Sequence, residues 1–162
     1  MKKCYVDILA AKTARLLEEN SGGMCRVEPI AVSGRFPAWE LAAQIDFQGQ
    51  GGQGEDIKGC LICGSECRED LEPLLKSVCA RLGCGEELLA TPQGPANILS
   101  EFLNIAIGVA GADWEKQGFA MDFSPPVNLS GQPPQISDEA EVFQLLFSGD
   151  NGLRLKLLAA FH

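Results

Sequence analysis

The chain has 162 residues, 46% hydrophobic and 22% charged, ordinary globular usage in which a single domain over residues 1–162 can bury a core without disulfides or metal. Its formal net charge is −9 and its pI about 4.6. That balance argues against nucleic acid and anionic membrane surfaces as partners, since both need clustered Lys and Arg.

The start, "MKKCYVDILAAK", has basic residues but no sustained apolar region, because Asp7, Lys12 and Arg15 interrupt it. No run reaches the uninterrupted apolar length of a membrane span. Seven cysteines, an odd number, suit a reducing compartment, so an unprocessed cytoplasmic protein is expected. From Tyr5 to Glu19, Val6, Leu9, Ala10, Leu16 and Leu17 recur at helical spacings, predicting an amphipathic helix that ends in the turn Asn20 to Gly23.

Three strand-like pieces follow: "RVEPIAV" from Arg26, "AWELAAQIDF" from Ala38 and "DIKGCLIC" from Asp56. The connector "GQGGQGE" reads as a hairpin loop between the second and third. "SECREDLEPLLKSVCARLG" from Ser65 has helical composition, with Pro73 limiting or kinking it. After "TPQGP" a further helix begins, with Pro95 suited to its first turn. "GFAMDF" from Gly118 alternates like a strand, and "SPPVNLSGQPPQISD" is irregular by composition. The end is a hairpin, "EVFQLLF" and "LRLKLLAAF" around "SGDNG". Helix, three strands, helices and three strands predict an α+β fold with a mainly antiparallel sheet. The repeated helix-then-three-strands rhythm hints at a doubled half-fold.

"GQGGQG" at Gly49 to Gly54 formally satisfies G-x-G-x-x-G, but a dinucleotide site needs a helix opening directly after it, and a strand follows here. Cys60, Cys63 and Cys67 give C-x2-C-x3-C. Strand alternation puts Cys60 and Cys63 on opposite faces, so no metal site is expected and buried cysteines acting as small hydrophobes fit better. The single histidine, His162, is the last residue, which leaves no support for a nucleophile paired with histidine.

The stretch "ILSEFLNIAIG" at residues 98–108 is otherwise apolar but carries Glu101 and Asn104. With Glu101 at zero and 100° per residue, Asn97 falls at about −40°, Asn104 at about −60° and Gly108 at about −20°. Leu99, Phe102, Leu103, Ala106, Val109 and Ala110 are expected on the opposite side. An ordinary solvated face would explain one polar stripe. Such faces usually carry several charges, however, and no basic residue occurs between Arg81 and Lys116. Small residues around a lone Glu and Asn also leave room for another surface to approach.

With Glu101, Asn104 and Gly108 at these spacings, the sequence resembles the CheC/CheX family of chemotaxis phosphatases, whose signature is Glu-x-x-Asn on a helix, commonly continued to a glycine. The segment "FAMDFSPPVNLSG" resembles the family's strand and proline-containing piece, with Pro126 the closest match. Asn97 stands where members tend to have Asp or Ser, and Pro126 is about one position off the usual register. The first helix offers only Glu18, Glu19 and Asn20 at its end, so a single site makes the chain more CheX-like than CheC-like.

The resemblance implies two long helices packed on the sheet, and hydrolysis of the aspartyl phosphate of a CheY-like receiver domain in two-component signalling. It implies Asn104 as the residue orienting the attacking water and Glu101 as the partner of the receiver's lysine. Asn97, Gly108 and Pro126 would be docking positions. It implies no cofactor bound by this chain, Mg²⁺ supplied by the receiver, and a homodimer joined through sheet edges. The alternatives are a non-catalytic module of the same fold that docks a receiver or chemotaxis partner and, more weakly, a cysteine-based metal or redox module.

Overall fold

The computed structural model describes every residue except Gly22 and Ser33. Helix α1 (Lys2–Ser21) buries Val6, Leu9, Leu16 and Leu17, as their spacing predicts. It ends within the expected turn Asn20 to Gly23, of which Gly22 lies outside the described residues. Strand β1 (Cys25–Pro29) is shorter than expected. Pro29 has no N–H to continue a ladder, and Ile30 adds only one more bond, to the carbonyl of Gln144 at 2.9 Å.

Strands β2 (Leu41–Gln50) and β3 (Asp56–Ser65) form the predicted hairpin, pairing Leu41 with Ser65 through Gln50 with Asp56. A 3₁₀ turn (Arg68–Leu71) leads into helix α2 (Glu72–Arg81). Pro73 lies in the first turn of α2, so it sets where the helix starts and kinks nothing. Helix α3 (Gly94–Lys116) precedes β4 (Ala120–Phe123), the two-residue β5 (Val127–Asn128), and the hairpin of β6 (Glu141–Gly149) and β7 (Arg154–Phe161).

All strand pairs are antiparallel, in the order β1-β6-β7-β3-β2-β4, with β5 further along β2. That order reads the same from either end. The two hairpins meet at β3 and β7, and the first strand of each half crosses to the other half's hairpin: β1 onto β6, β4 onto β2. The halves α1-β1-β2-β3 and α3-β4-β6-β7 are interleaved about a pseudo-two-fold between β3 and β7. The repeated rhythm in the sequence is this doubling, and neither half completes its sheet alone.

The helices cover one face of the sheet. Tyr5, Leu9, Leu75, Val78, Leu99, Phe102 and Leu103 pack there with Ile45, Phe47, Leu61, Cys63, Leu155 and Phe161. The other face is also covered: Ala42, Cys60, Ile62, Leu158 and Ala160 lie beneath Trp39, Phe36, Leu129 and Ile136. The segment that is irregular by composition therefore supplies, through Leu129 and Ile136, part of the cover over the back of the sheet. A sheet buried on both faces explains why β3 and β7 read as continuous apolar runs rather than alternating ones.

Within "GQGGQG", Gly54 adopts a positive φ of 81° in the hairpin turn, and other glycines are required by close packing. A Cβ on Gly52 would run into the carbonyl oxygen of Gln117, where the hairpin tip lies against the end of α3.

Ser100, Glu101 and Asn104 interrupt the longest apolar stretch, as expected. Helix α3 is long and apolar enough, by length and composition, to cross a membrane. Its apolar side, however, is packed onto the sheet and the other helices, with Leu99, Phe102, Leu103, Ala106, Ala110 and Trp114 all buried. A core helix passes the same compositional test as a membrane helix.

Candidate functional site

Helix α3 is anchored before it is functional. The Thr91 hydroxyl accepts from the Gly94 N–H at 3.0 Å and donates to the Leu88 carbonyl at 2.7 Å, satisfying one of the open donors of the first turn. Any side chain on Gly94 would strike that Leu88 carbonyl. Pro95 is buried within the same first turn. At the far end, Trp114 Nε1–H donates to the carbonyl of Tyr5 at 3.0 Å, tying α3 to α1. The helix is held at both ends against the core, so the side chains on its open face have a defined position.

That face carries the predicted stripe. Asn97, Glu101, Asn104 and Gly108 are all exposed, whereas Phe102, Leu103, Ala106 and Ile107 between them are buried. Glu101 and Asn104 stand one turn apart, which puts their Cβ atoms about 5–6 Å from each other. Neither side chain has a hydrogen-bond or ion-pair partner among the described residues, and the same holds for Asn97. A carboxylate and a carboxamide therefore point to solvent from a rigid element with all their bonding capacity unused. A Cβ added at Gly108 or Gly111 would meet nothing within 4 Å, so the surface beside the pair is open to a close approach.

The open face is wider than the stripe. Val109, expected on the buried side, is 43% exposed; at about 80° from Glu101 it sits on the rim of the face, not opposite it. Ala112 and Glu115 extend the face toward the C-terminus. Beside Gly108 and Gly111, α3 and β4 enclose a depression of about 680 Å³ lined by Ile107, Trp114, Met121 and Phe123. Sequence reasoning missed this depression. Alternation in "GFAMDF" announces a strand, but not that the strand lies next to this helix.

Pro126 is half-buried directly before β5. Strand β5 pairs with Ala43 and Gln44 of β2 and also contacts α3. The proline segment is thereby brought alongside the helix that carries Glu101 and Asn104, although 22 residues separate Asn104 from Pro126 in the chain.

Cys60, Cys63 and Cys67 do not converge. Cys60 belongs to the back-face cluster and Cys63 to the helix-side core, so they point to opposite faces as alternation requires. Cys67 is exposed. Burial, followed by the nearby charge of Asp46, pushes the Cys60 thiol up to about 11, and burial pushes Cys63 up to about 12. Protonated thiols are poor metal ligands. Among the described residues, no group of three His, Cys, Asp or Glu side chains is placed to hold a metal ion.

No family model matches the chain, and no curated protein sequence does. Solved structures do. The chemotaxis protein CheX from Desulfovibrio desulfuricans matches with a TM-score of 0.72 at 13% identity, covering 98% of this chain and 99% of that one. A chemotactic CheC-like protein from Shewanella oneidensis MR-1 matches with a TM-score of 0.70 at 16% identity, over 100% of both chains. The CheX–CheY–BeF3–Mg²⁺ complex from Borrelia burgdorferi matches with a TM-score of 0.67 at 16% identity, covering 98% of this chain and 97% of that one. At such identities the fold is what is shared: this chain has the α+β fold of CheX and CheC-like chemotaxis proteins.

Proposed function

We propose that this protein is a chemotaxis phosphatase that hydrolyses the aspartyl phosphate of a CheY-like receiver domain in the cytoplasm. The observation that carries the reading is the Glu101–Asn104 pair, exposed and unpartnered on one face of an anchored helix. The fold shared with CheX, and the existence of a CheX–CheY complex, supply the class of partner.

The residues suit the chemistry. Attack of water on the phosphorus of an acyl phosphate expels a carboxylate, a stable leaving group that needs no proton from a general acid. What the reaction lacks is a water held in line with the P–O bond that breaks, so orientation is the contribution to supply. The Asn104 carboxamide accepts a hydrogen bond from that water and donates one to a phosphoryl oxygen, without adding a charge that repels the phosphate. Glu101 approaches the same phosphoryl group as an anion, so it needs a cation across the interface, and a lysine of the receiver meets that need. Mg²⁺ would be held by the receiver's own carboxylates and would neutralise phosphoryl charge. Asn97, Gly108 and Pro126 surround the pair as docking positions. Edge strand β1 leaves one side of its backbone open, and there a second copy would add to the sheet in a homodimer.

The test is receiver dephosphorylation with wild type, Asn104→Ala and Glu101→Ala, beside binding to a receiver carrying beryllium fluoride, a tetrahedral mimic of the phosphoryl group. Asn104→Ala is expected to bind normally yet lose about a hundredfold in acceleration, the scale of a lost positioning contact. Glu101→Ala is expected to weaken binding tenfold or more, about 1.4 kcal/mol. Wild-type binding with no acceleration, over several receivers, would overturn the phosphatase reading in favour of a docking module, the alternative to which Asn97 in place of Asp or Ser points.

A further inference from the structure

Two cysteines outside the site are brought together by the way α2 ends. Gly83 adopts φ +72°, its N–H donates to the Ala80 carbonyl at 3.1 Å, and the Cys84 N–H donates to the Cys79 carbonyl at 2.9 Å. These are the two bonds of a Schellman motif, in which a glycine with positive φ turns the chain back over the last helical turn. The motif places the side chains of Cys79 and Cys84 next to each other. With the Cys84 nitrogen 2.9 Å from the Cys79 carbonyl oxygen, bond lengths and the fixed angle at the carbonyl keep the two Cα atoms within about 6.8 Å, the span that a disulfide bridges.

The side chains are in position as well. Cys79 Sγ lies 3.6 Å from the Cys84 carbonyl oxygen and 3.3 Å from that of Gly85, tucked beneath the returning chain. Cys79 is fully buried and Cys84 half-buried, so one thiol of the pair meets solvent and the other waits behind it. Burial holds the Cys79 thiol above its ordinary value, and the adjacent Cys84 adds to this. Cys84, the less buried of the two, is therefore the thiol that reacts first.

We propose that Cys79 and Cys84 form a dithiol modification site, closing to an intrachain disulfide by exchange with a low-molecular-weight disulfide. Cys84 attacks one sulfur of that disulfide, giving a mixed disulfide and releasing the first small thiolate. Cys79 then attacks the Cys84 sulfur, forming the Cys79–Cys84 bond and releasing the second. Two protein thiols are oxidised, one external disulfide is reduced to two thiols, and the protons lost by the cysteines pass to the leaving thiolates.

The sequence provides a clean test. Arg81 lies between the two cysteines, so trypsin separates residues 77–81 from residues 82–116, and each peptide carries a single cysteine. The folded protein is incubated with oxidised glutathione, alkylated and digested. The expected product is the two peptides joined by a disulfide, while the exposed Cys4 and Cys67 carry only glutathione adducts. Cys79→Ser should trap glutathione on Cys84, and Cys84→Ser should leave Cys79 unmodified. If wild-type peptide 82–116 carries glutathione while peptide 77–81 stays free, or if the link forms only in denaturant, the proposal is overturned.

Discussion

Tyr5 and Trp114 lie ring on ring, their centroids 4.2 Å apart and their planes 1° from parallel. The Trp114 indole also donates to the Tyr5 carbonyl at 3.0 Å. Phe47, Phe119 and Phe161 surround Tyr5, so this contact clamps the helix bearing Asn104 to α1 and to the sheet. Trp114→Ala should cost about 3–5 kcal/mol, and Trp114→Phe about 1 kcal/mol beyond its lost volume for the missing donor. The Tyr5 hydroxyl, by contrast, is buried with no hydrogen-bond partner among the described residues. Tyr5→Phe should therefore leave stability unchanged or raise it by about 1 kcal/mol. Urea denaturation of the three variants checks both signs, and a large loss in Tyr5→Phe would refute this account of the hydroxyl.

The same burial sets the alkaline limit. Tyr5 is held well above its ordinary value of 10.0 by burial, Cys63 is pushed up to about 12, and Cys60 to about 11 by burial and Asp46. Each group keeps its proton in the folded protein longer than in the unfolded chain. The stability they contribute is thus complete below their unfolded values, about 9 for the thiols and 10 for the phenol, and declines as pH rises beyond them. Each then removes up to about 1.4 kcal/mol per pH unit. Tyr5 is the only tyrosine, so tyrosinate absorbance should appear together with unfolding and not before it. Smooth ionisation near pH 10 in a folded protein would contradict the buried ring.

What could be read from the sequence was local. Period 3.6 located α1 and α3 because one side of each is solidly apolar, and the same pattern exposed Glu101 and Asn104. Alternation separated Cys60 from Cys63 correctly. What could not be read depended on neighbours distant in the chain. Val109 seemed internal because hydrophobicity does not reveal where the covering surface stops. The depression beside Gly108 needs β4 exchanged onto β2, and strand order leaves no trace in "GFAMDF". The irregular segment around Leu129 and Ile136 showed no periodicity, yet it closes the back face. The juxtaposition of Cys79 and Cys84 depends on Gly83 turning the chain between them.

Between the helices, Asp113 receives Lys12 Nζ at 2.7 Å and Lys116 Nζ at 3.0 Å. The hydrogen bond from Lys12, then that from Lys116, holds its carboxyl below the ordinary 3.8. A depressed carboxylate contributes stability above its unfolded value and loses it as pH falls through the folded one. Asp113→Asn should accordingly lower the melting temperature at pH 7, and should converge with wild type in acid. The difference should also shrink at high salt, because the pair is partly exposed. Equal melting curves at pH 7 and low salt would mean that this pair adds nothing to the contact between α1 and α3.

Gly108 separates stability from function. It sits inside α3, is exposed, and has open space where a Cβ would go. In a helix interior glycine is less favourable than alanine by roughly 0.5–1 kcal/mol, so Gly108→Ala should stabilise the protein by about that amount. A helix that served only the fold would gain from the change. On the proposed docking face the space itself is used, because the receiver must come close enough for Asn104 to reach its phosphoryl group. Gly108→Trp should therefore fold as wild type by circular dichroism and melting, yet bind the beryllium-fluoride-loaded receiver at least tenfold more weakly, about 1.4 kcal/mol. If Gly108→Trp binds and dephosphorylates the receiver as wild type does, the exposed face of α3 is not where the receiver docks.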